Sequence, residues 1–189
     1  MNRATRYIRD SIVAFFAYER AVRSAGDLKA GGTAMAGEVA RAIKDLGITL
    51  PEPAMPVANY VPCVIAGSLL YVSGQVPMNN GKLMFAGKVG ADLFVPEAQM
   101  AARQCALNIL AQAKAALGGN LDRIVGIVKL GGFVNSTPDF TEHPKVINGA
   151  SDLMVEIFEK KGEHTRFAVG VASLPLNASV EVDAIIEIL

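Results

Sequence analysis

The spacing of apolar residues changes character along this chain. Leu69–Gln75 and Ile124–Val134 are short dense runs of β-favouring residues, the first bounded by Gly67 and Pro77. Val180–Ile188 alternates. Val180, Val182, Ala184, Ile186 and Ile188 share one side, and Glu181, Asp183, Ile185 and Glu187 share the other. Two longer segments repeat every three to four residues. Glu97–Leu117 places Met100, Leu107, Leu110, Ala113 and Leu117 on one stripe. Thr141–Lys161 gathers Val146, Ala150, Leu153 and Ile157 with Ile147, Met154 and Phe158. Gly118-Gly119 and Gly162 stop the two helices. Cys63–Ala66 reads as a strand paired with Leu69–Gln75, Asn79-Asn80-Gly81 as a turn, and 83–89 as a short returning strand. Arg166–Ala172 reads as another strand, and Gly131-Gly132 as a bulge or a close contact. The order β-β-(β)-α-β-α-β-β predicts an α+β fold, with two helices over one face of a mixed sheet. The other face keeps apolar residues, which predicts burial against a second subunit.

The chain ahead of this body is different. Residues 1–34 hold six basic and three acidic side chains, so a chain of zero net charge carries a basic start and an acidic body. The apolar run Ile12–Ala17 is far too short to span a membrane. Asp10 and Glu19 flank it and count against a secretory signal or an organelle leader. An amphipathic helix from Tyr7 to about Val22, outside the main domain, is the expectation. Gly26, Gly31 and Gly32 then break the chain. A new helix opens at Met35 with Val39, Ala42, Ile43 and Leu46, and Gly47 ends it. Leu50–Pro56 is a proline-stiffened linker. The expected organisation is an extension over 1–34, a leading helix and linker over 35–56, and the main domain over 57–189.

Composition narrows the chemistry. The 189 residues are 51% apolar, ample for a core. Eighteen basic residues balance eighteen acidic ones, which disfavours nucleic acid held by bulk charge. Two cysteines without CxxC spacing and two histidines make no Cys/His metal framework and no disulfide scaffold. A reducing, cytoplasmic setting is the expectation. Walker, GxGxxG, HExxH and GxSxG signatures do not occur in the sequence.

What remains is a set of polar residues among apolar strands. Arg166 opens a strand, and its guanidinium suits two-pronged binding of a carboxylate. From residue type alone its ordinary role is a structural ion pair with Glu163, Glu181 or Asp183. Glu181 is off the main core face, where it is either a solvated edge carboxylate or a group that holds and polarises a water. Tyr60, Ser73 and Asn148 are candidate ligand-positioning residues. Their ordinary roles are ring packing, local hydrogen bonding and solvation. His143 and His164 read as surface residues, and Cys105 as a small buried apolar group.

Taken together, several segments resemble the Rid (reactive intermediate deaminase) family, also called YjgF or L-PSP endoribonuclease. They are Ala58-Asn59-Tyr60-Val61-Pro62, Leu70-Tyr71-Val72-Ser73-Gly74-Gln75-Val76-Pro77, Val146-Ile147-Asn148-Gly149, Thr165–Val169, and Leu174-Pro175 ahead of Val180-Glu181-Val182-Asp183-Ala184. The resemblance covers about residues 48–189. It implies a chorismate-mutase-like homotrimer with sites at subunit interfaces. It also implies cofactor-independent hydrolysis of 2-imino acids, or their enamine tautomers, to 2-oxo acids and ammonia. By that analogy Arg166 binds the substrate carboxylate, Glu181 holds the attacking water, and Tyr60, Ser73, Asn148 and Ala168 line the pocket. Two positions depart from the family pattern. His164 stands for a proline, and Ala168 stands where a cysteine is usual, so activity survives only if that position contributes backbone alone. A non-catalytic binder of small carboxylates is the alternative reading. An endoribonuclease is a third, against which the acidic body argues.

Overall fold

Strict alternation from Val180 to Ile188 builds the spine of the sheet. In the computed structural model, which describes residues 37–53 and 61–189, this strand is β7 (Val180–Ile188), and it pairs on both sides. Its neighbours are β2 (Leu69–Gln75) and β5 (Ile124–Asn135), both antiparallel to it. β1 (Cys63–Ala66) adds antiparallel to β2, and β6 (Thr165–Val171) adds parallel to β5. The five-stranded order is β1-β2-β7-β5-β6, so β1 and β6 are the edges.

Two compact units divide the chain at Thr49/Leu50. The described part of the first holds α1 (Glu38–Asp45). Gly47 terminates it at φ 66°, with Gly47 N–H donating to the Lys44 carbonyl and Ile48 N–H to the Ile43 carbonyl. The expected helix Tyr7–Val22, linker residues 54–56 and Tyr60 lie outside the described residues.

The second unit carries the sheet and two long helices, α2 (Val95–Ala116) and α3 (His143–Phe158). Both lie on one sheet face. Leu70, Val72, Val182, Ala184, Ile186, Leu130 and Val134 meet Cys105, Ile109 and Leu110 of α2 and Ile147, Leu153 and Met154 of α3, all buried. The buried face expected for α3 is the observed one. That of α2 is wider than its sequence stripe: Met100 and Leu107 are only half-buried, while Ala98, Ala101, Ala102, Cys105, Ala106 and Ile109 are fully buried. The helix packs on the sheet and on α3 together, and small alanines allow both approaches. Its buried amides serve the loop above. Asn108 donates to the Val76 and Met78 carbonyls (2.9 and 3.0 Å), and Gln104 to Met78 (3.0 Å). Gly118 and Gly119, both at positive φ, end α2 as the sequence predicts, with Gly119 N–H reaching the Lys114 carbonyl.

Three expected spans are shorter or differently composed. The returning strand at 83–89 is confined to β4 (Lys82–Leu83), which pairs with β3 (Met78–Asn79) around Asn80-Gly81, both residues at positive φ. Beyond Leu83 the chain follows an irregular path, touching the body at Ala86–Ala178 and Val89–Ser136. The helix expected to Lys161 ends at Phe158 and tightens into a 3-10 turn, Glu159–Gly162. Gly131-Gly132 is a close contact. A side chain at Gly131 would overlap Asp183 and Phe167, and one at Gly132 would meet Ile147. The bulges of β5 fall instead near Ile124–Lys129.

Candidate functional site

Strand register assigns each candidate to a face. Arg166, Ala168 and Gly170 of β6 pair with Leu130, Gly132 and Val134 of β5. In a parallel pair, partnered residues point the same way, so all three face the helices. Arg166 accordingly reaches α3. It donates from Nη1 to Ser151 Oγ (2.9 Å) and from Nη2 to the Pro144 carbonyl (3.1 Å). Neither acceptor is charged, and no carboxylate among the described residues forms an ion pair with it. The structural salt bridge that residue type suggested is therefore not formed, and three of the five guanidinium N–H groups stay available. Pro144, Asn148 and Ser151 are four and three residues apart, which places them on one stripe of α3. Asn148 thus lies between the two residues that hold the guanidinium. Arg166, Asn148 and Ala168 come together beside the edge strand.

Glu181 is on the opposite face. It pairs with Phe133 in β7–β5, between the buried Val180 and Val182. A bulge in β2, between Val72 and Gln75, turns Gly74 toward it, and a side chain at Gly74 would overlap the Glu181 carboxylate. Burial, and then the charge of Asp183 two residues along, raise the Glu181 pKa above its ordinary value. Asp183 is raised by burial too, offset in part by the Gly131 backbone and the Lys129 charge. Ser73 sits in the same bulge, but its hydroxyl donates to the Val61 carbonyl (3.1 Å). Val64, Tyr71 and Val169 stay exposed around these carboxylates, with Phe133 packed edge-on against Phe167 (5.2 Å). One chain thus separates the candidates into two groups, Arg166–Asn148–Ala168 behind the sheet and Glu181–Ser73 in front of it.

The histidines, expected at the surface, are half-buried and hydrogen-bonded. His164 Nε2 lies 2.9 Å from Ser151 Oγ, and Nδ1 lies 2.6 Å from the Gly162 carbonyl. His143 Nε2 lies 3.1 Å from Ser136 Oγ, its ring set edge-on to Phe140. That second pair lines a cavity of about 490 Å³, with Lys88, Thr137, Pro138, Gly170, Val171 and Ala172. It opens at the C-terminal ends of β5 and β6, and Lys88 Nζ there binds Asn135 Oδ1 (2.7 Å) and the Ala172 carbonyl (2.6 Å). The signal for it in the sequence is faint: Gly170 follows Ala168 on the helix-facing side of β6, and a side chain there would meet His143 and Ser136. Among the described residues there is no cluster of three His, Cys, Asp or Glu fit to hold a metal. None of their helices is long and apolar enough to cross a membrane.

Comparison with known proteins agrees with this architecture. The sequence profile of the YjgF/chorismate-mutase-like endoribonuclease family matches residues 40–188. Protein TCP17 of Trypanosoma cruzi is 52% identical over 153 residues, 80% of this chain and 95% of that protein. A 2-iminobutanoate/2-iminopropanoate deaminase of Dermatophagoides farinae is 30% identical over 142 residues, 75% of this chain and 94% of that one. The crystal structure of Atu1372 from Agrobacterium tumefaciens superposes with a TM-score of 0.75 at 54% identity, covering 82% of this chain and 94% of that one.

Proposed function

The chain belongs to the YjgF/chorismate-mutase-like family, and from that footing we propose that it hydrolyses 2-imino acids to 2-oxo acids and ammonia without a cofactor, in sites completed between copies of itself. The observation that carries the reading is a pair of unsatisfied, complementary groups. Arg166 is held by two neutral acceptors and keeps free donors, and Glu181 is a half-buried carboxylate whose pKa burial raises. They face opposite sides of one sheet, so a single chain cannot apply both to one small substrate. A second copy laid on the open face can. That face is apolar at Val64, Tyr71 and Val169, in keeping with burial in a homotrimer. The 30% identical deaminase supports the reaction class.

The chemistry asks little of the protein. A protonated imine carbon is already electrophilic, so catalysis needs positioning and a proton acceptor. Arg166 grips the substrate carboxylate through its free N–H groups. Glu181 of the adjoining copy takes a proton from the attacking water as oxygen bonds to carbon. It returns that proton to nitrogen, and as the C–N bond breaks it takes the remaining hydroxyl proton, so that the 2-oxo acid forms and the nitrogen leaves as ammonia, which carries that last proton away as ammonium. Asn148, Ala168 and Ser73 shape the pocket, Ala168 through its backbone. The assay generates imines in situ with an amino-acid oxidase and follows their loss. Turnover above the spontaneous rate that Arg166→Ala abolishes is the expected result. No acceleration across several side chains refutes the reading. Turnover absent while small carboxylates still bind marks a binder.

A further inference from the structure

Arg166 does not hold Ser151 alone. The same hydroxyl meets His164, and the donors and acceptors along this chain of contacts admit one arrangement for the neutral ring. The Gly162 carbonyl only accepts, so His164 Nδ1, 2.6 Å away, carries the ring proton. Nε2 is then an acceptor, and the Ser151 hydroxyl 2.9 Å away supplies its proton to it. Ser151 Oγ has its lone pairs left and accepts from Arg166 Nη1 at 2.9 Å. Each proton is used once, and the line runs Arg166 to Ser151 to His164 to the Gly162 carbonyl. It ends on the turn that closes α3.

We propose that His164 is a positioning residue for Arg166, acting through Ser151. A serine hydroxyl rotates freely unless its proton has a fixed acceptor. Nε2 of His164 is that acceptor, and it turns the Ser151 lone pair toward the guanidinium. With the Pro144 carbonyl fixing Nη2, the guanidinium has one orientation before a ligand arrives, and its remaining donors are pre-aimed. The device belongs to this chain's own sequence, because it needs a histidine two residues ahead of the arginine on β6 and a serine one turn beyond Asn148 on α3.

The proposal rests on Arg166 being the carboxylate clamp, and the experiment separates the two claims. Calorimetric affinity for 2-oxobutanoate, with KM and kcat for the in-situ imine, is measured for the wild type and five variants: Ser151→Ala, His164→Phe, His164→Gln, the Ser151→Ala/His164→Phe double variant, and Arg166→Ala. Ser151→Ala and His164→Phe should each weaken binding about 3- to 10-fold, the range for one hydrogen bond. KM should rise with kcat little changed. The double variant should be no weaker than Ser151→Ala, because His164 acts only through that hydroxyl. His164→Gln, whose amide oxygen replaces the Nε2 acceptor, should recover affinity to within about twofold. Additive losses, wild-type affinity in Ser151→Ala, or a glutamine variant as weak as the phenylalanine one overturn the positioning role. Should His164→Phe fail to fold, Ser151→Ala and His164→Gln decide by the same criteria. Arg166→Ala binding as tightly as the wild type overturns the clamp itself.

Discussion

Glu181→Gln tests the electrostatics of the open face in isolation from turnover. The carboxylate is half-buried, and no described side chain neutralises it. Asp183 lies two residues along the same strand and the same face, about 7 Å away by strand geometry. At an effective dielectric constant near 40, two such charges repel by about 1 kcal/mol, and solvent screening of half-exposed groups reduces this to roughly 0.5 kcal/mol. Burial of the charge adds a penalty of the same sign. The amide carries neither cost. A carboxyl whose folded pKa is raised lends stability below its unfolded pKa and loses it as pH rises through the folded value. The variant should therefore melt about 2 °C above the wild type at pH 8, with the gap closing by pH 4 where both are neutral. Thermal denaturation followed by circular dichroism from pH 4 to 8 reads both points. A variant that melts lower at pH 8, or a gap unchanged across the range, refutes the reasoning, since the ionised carboxylate would then be stabilising or the side chain acting through packing alone.

Other consequences follow from close contacts and burial. Gly132→Ala drives a methyl group into Ile147, 2.5–2.9 Å away, and should lower the melting temperature by several degrees. Ile147→Val on that background should restore part of the loss, and a neutral Gly132→Ala contradicts the packing described. Burial pushes the Cys63 thiol up to about 11, and Cys105 is raised by complete burial and by the Glu181 charge. With about one Cys63 thiol in a thousand ionised at pH 8, both cysteines should react slowly with a disulfide reagent until the protein is unfolded. A fast native phase contradicts this.

The fold was legible because burial imposes periods. β7 fell where its alternation placed it, residue for residue, and the core face of α3 matched its 3.6-residue pattern. The α2 stripe was misjudged because a helix packed on two neighbours has no single buried side, and alanines hide a second contact face that leucines announce. The span 83–89 failed for a different reason. Its residues are held by single backbone bonds to Pro77, Asn177 and Asn135 and by isolated bridges, contacts that local sequence does not encode. The geometry of the candidate residues was not legible in the sequence. Alternation alone put Glu181 off the core face. The face of Arg166 depends on its register with Leu130, which only the pairing of β5 and β6 settles. The serine partner of each histidine was hidden as well, being 7 residues away for His143 and 13 for His164.

Mixing inactive chains tests the shared site most directly. Arg166→Ala and Glu181→Gln proteins are each purified, unfolded, combined in equal amounts and refolded together. A site that draws its arginine from one copy and its glutamate from the next is rebuilt in about a quarter of random pairings, so the mixture should recover about 25% of wild-type imine turnover. Recovery no greater than the sum of the two variants alone contradicts the account.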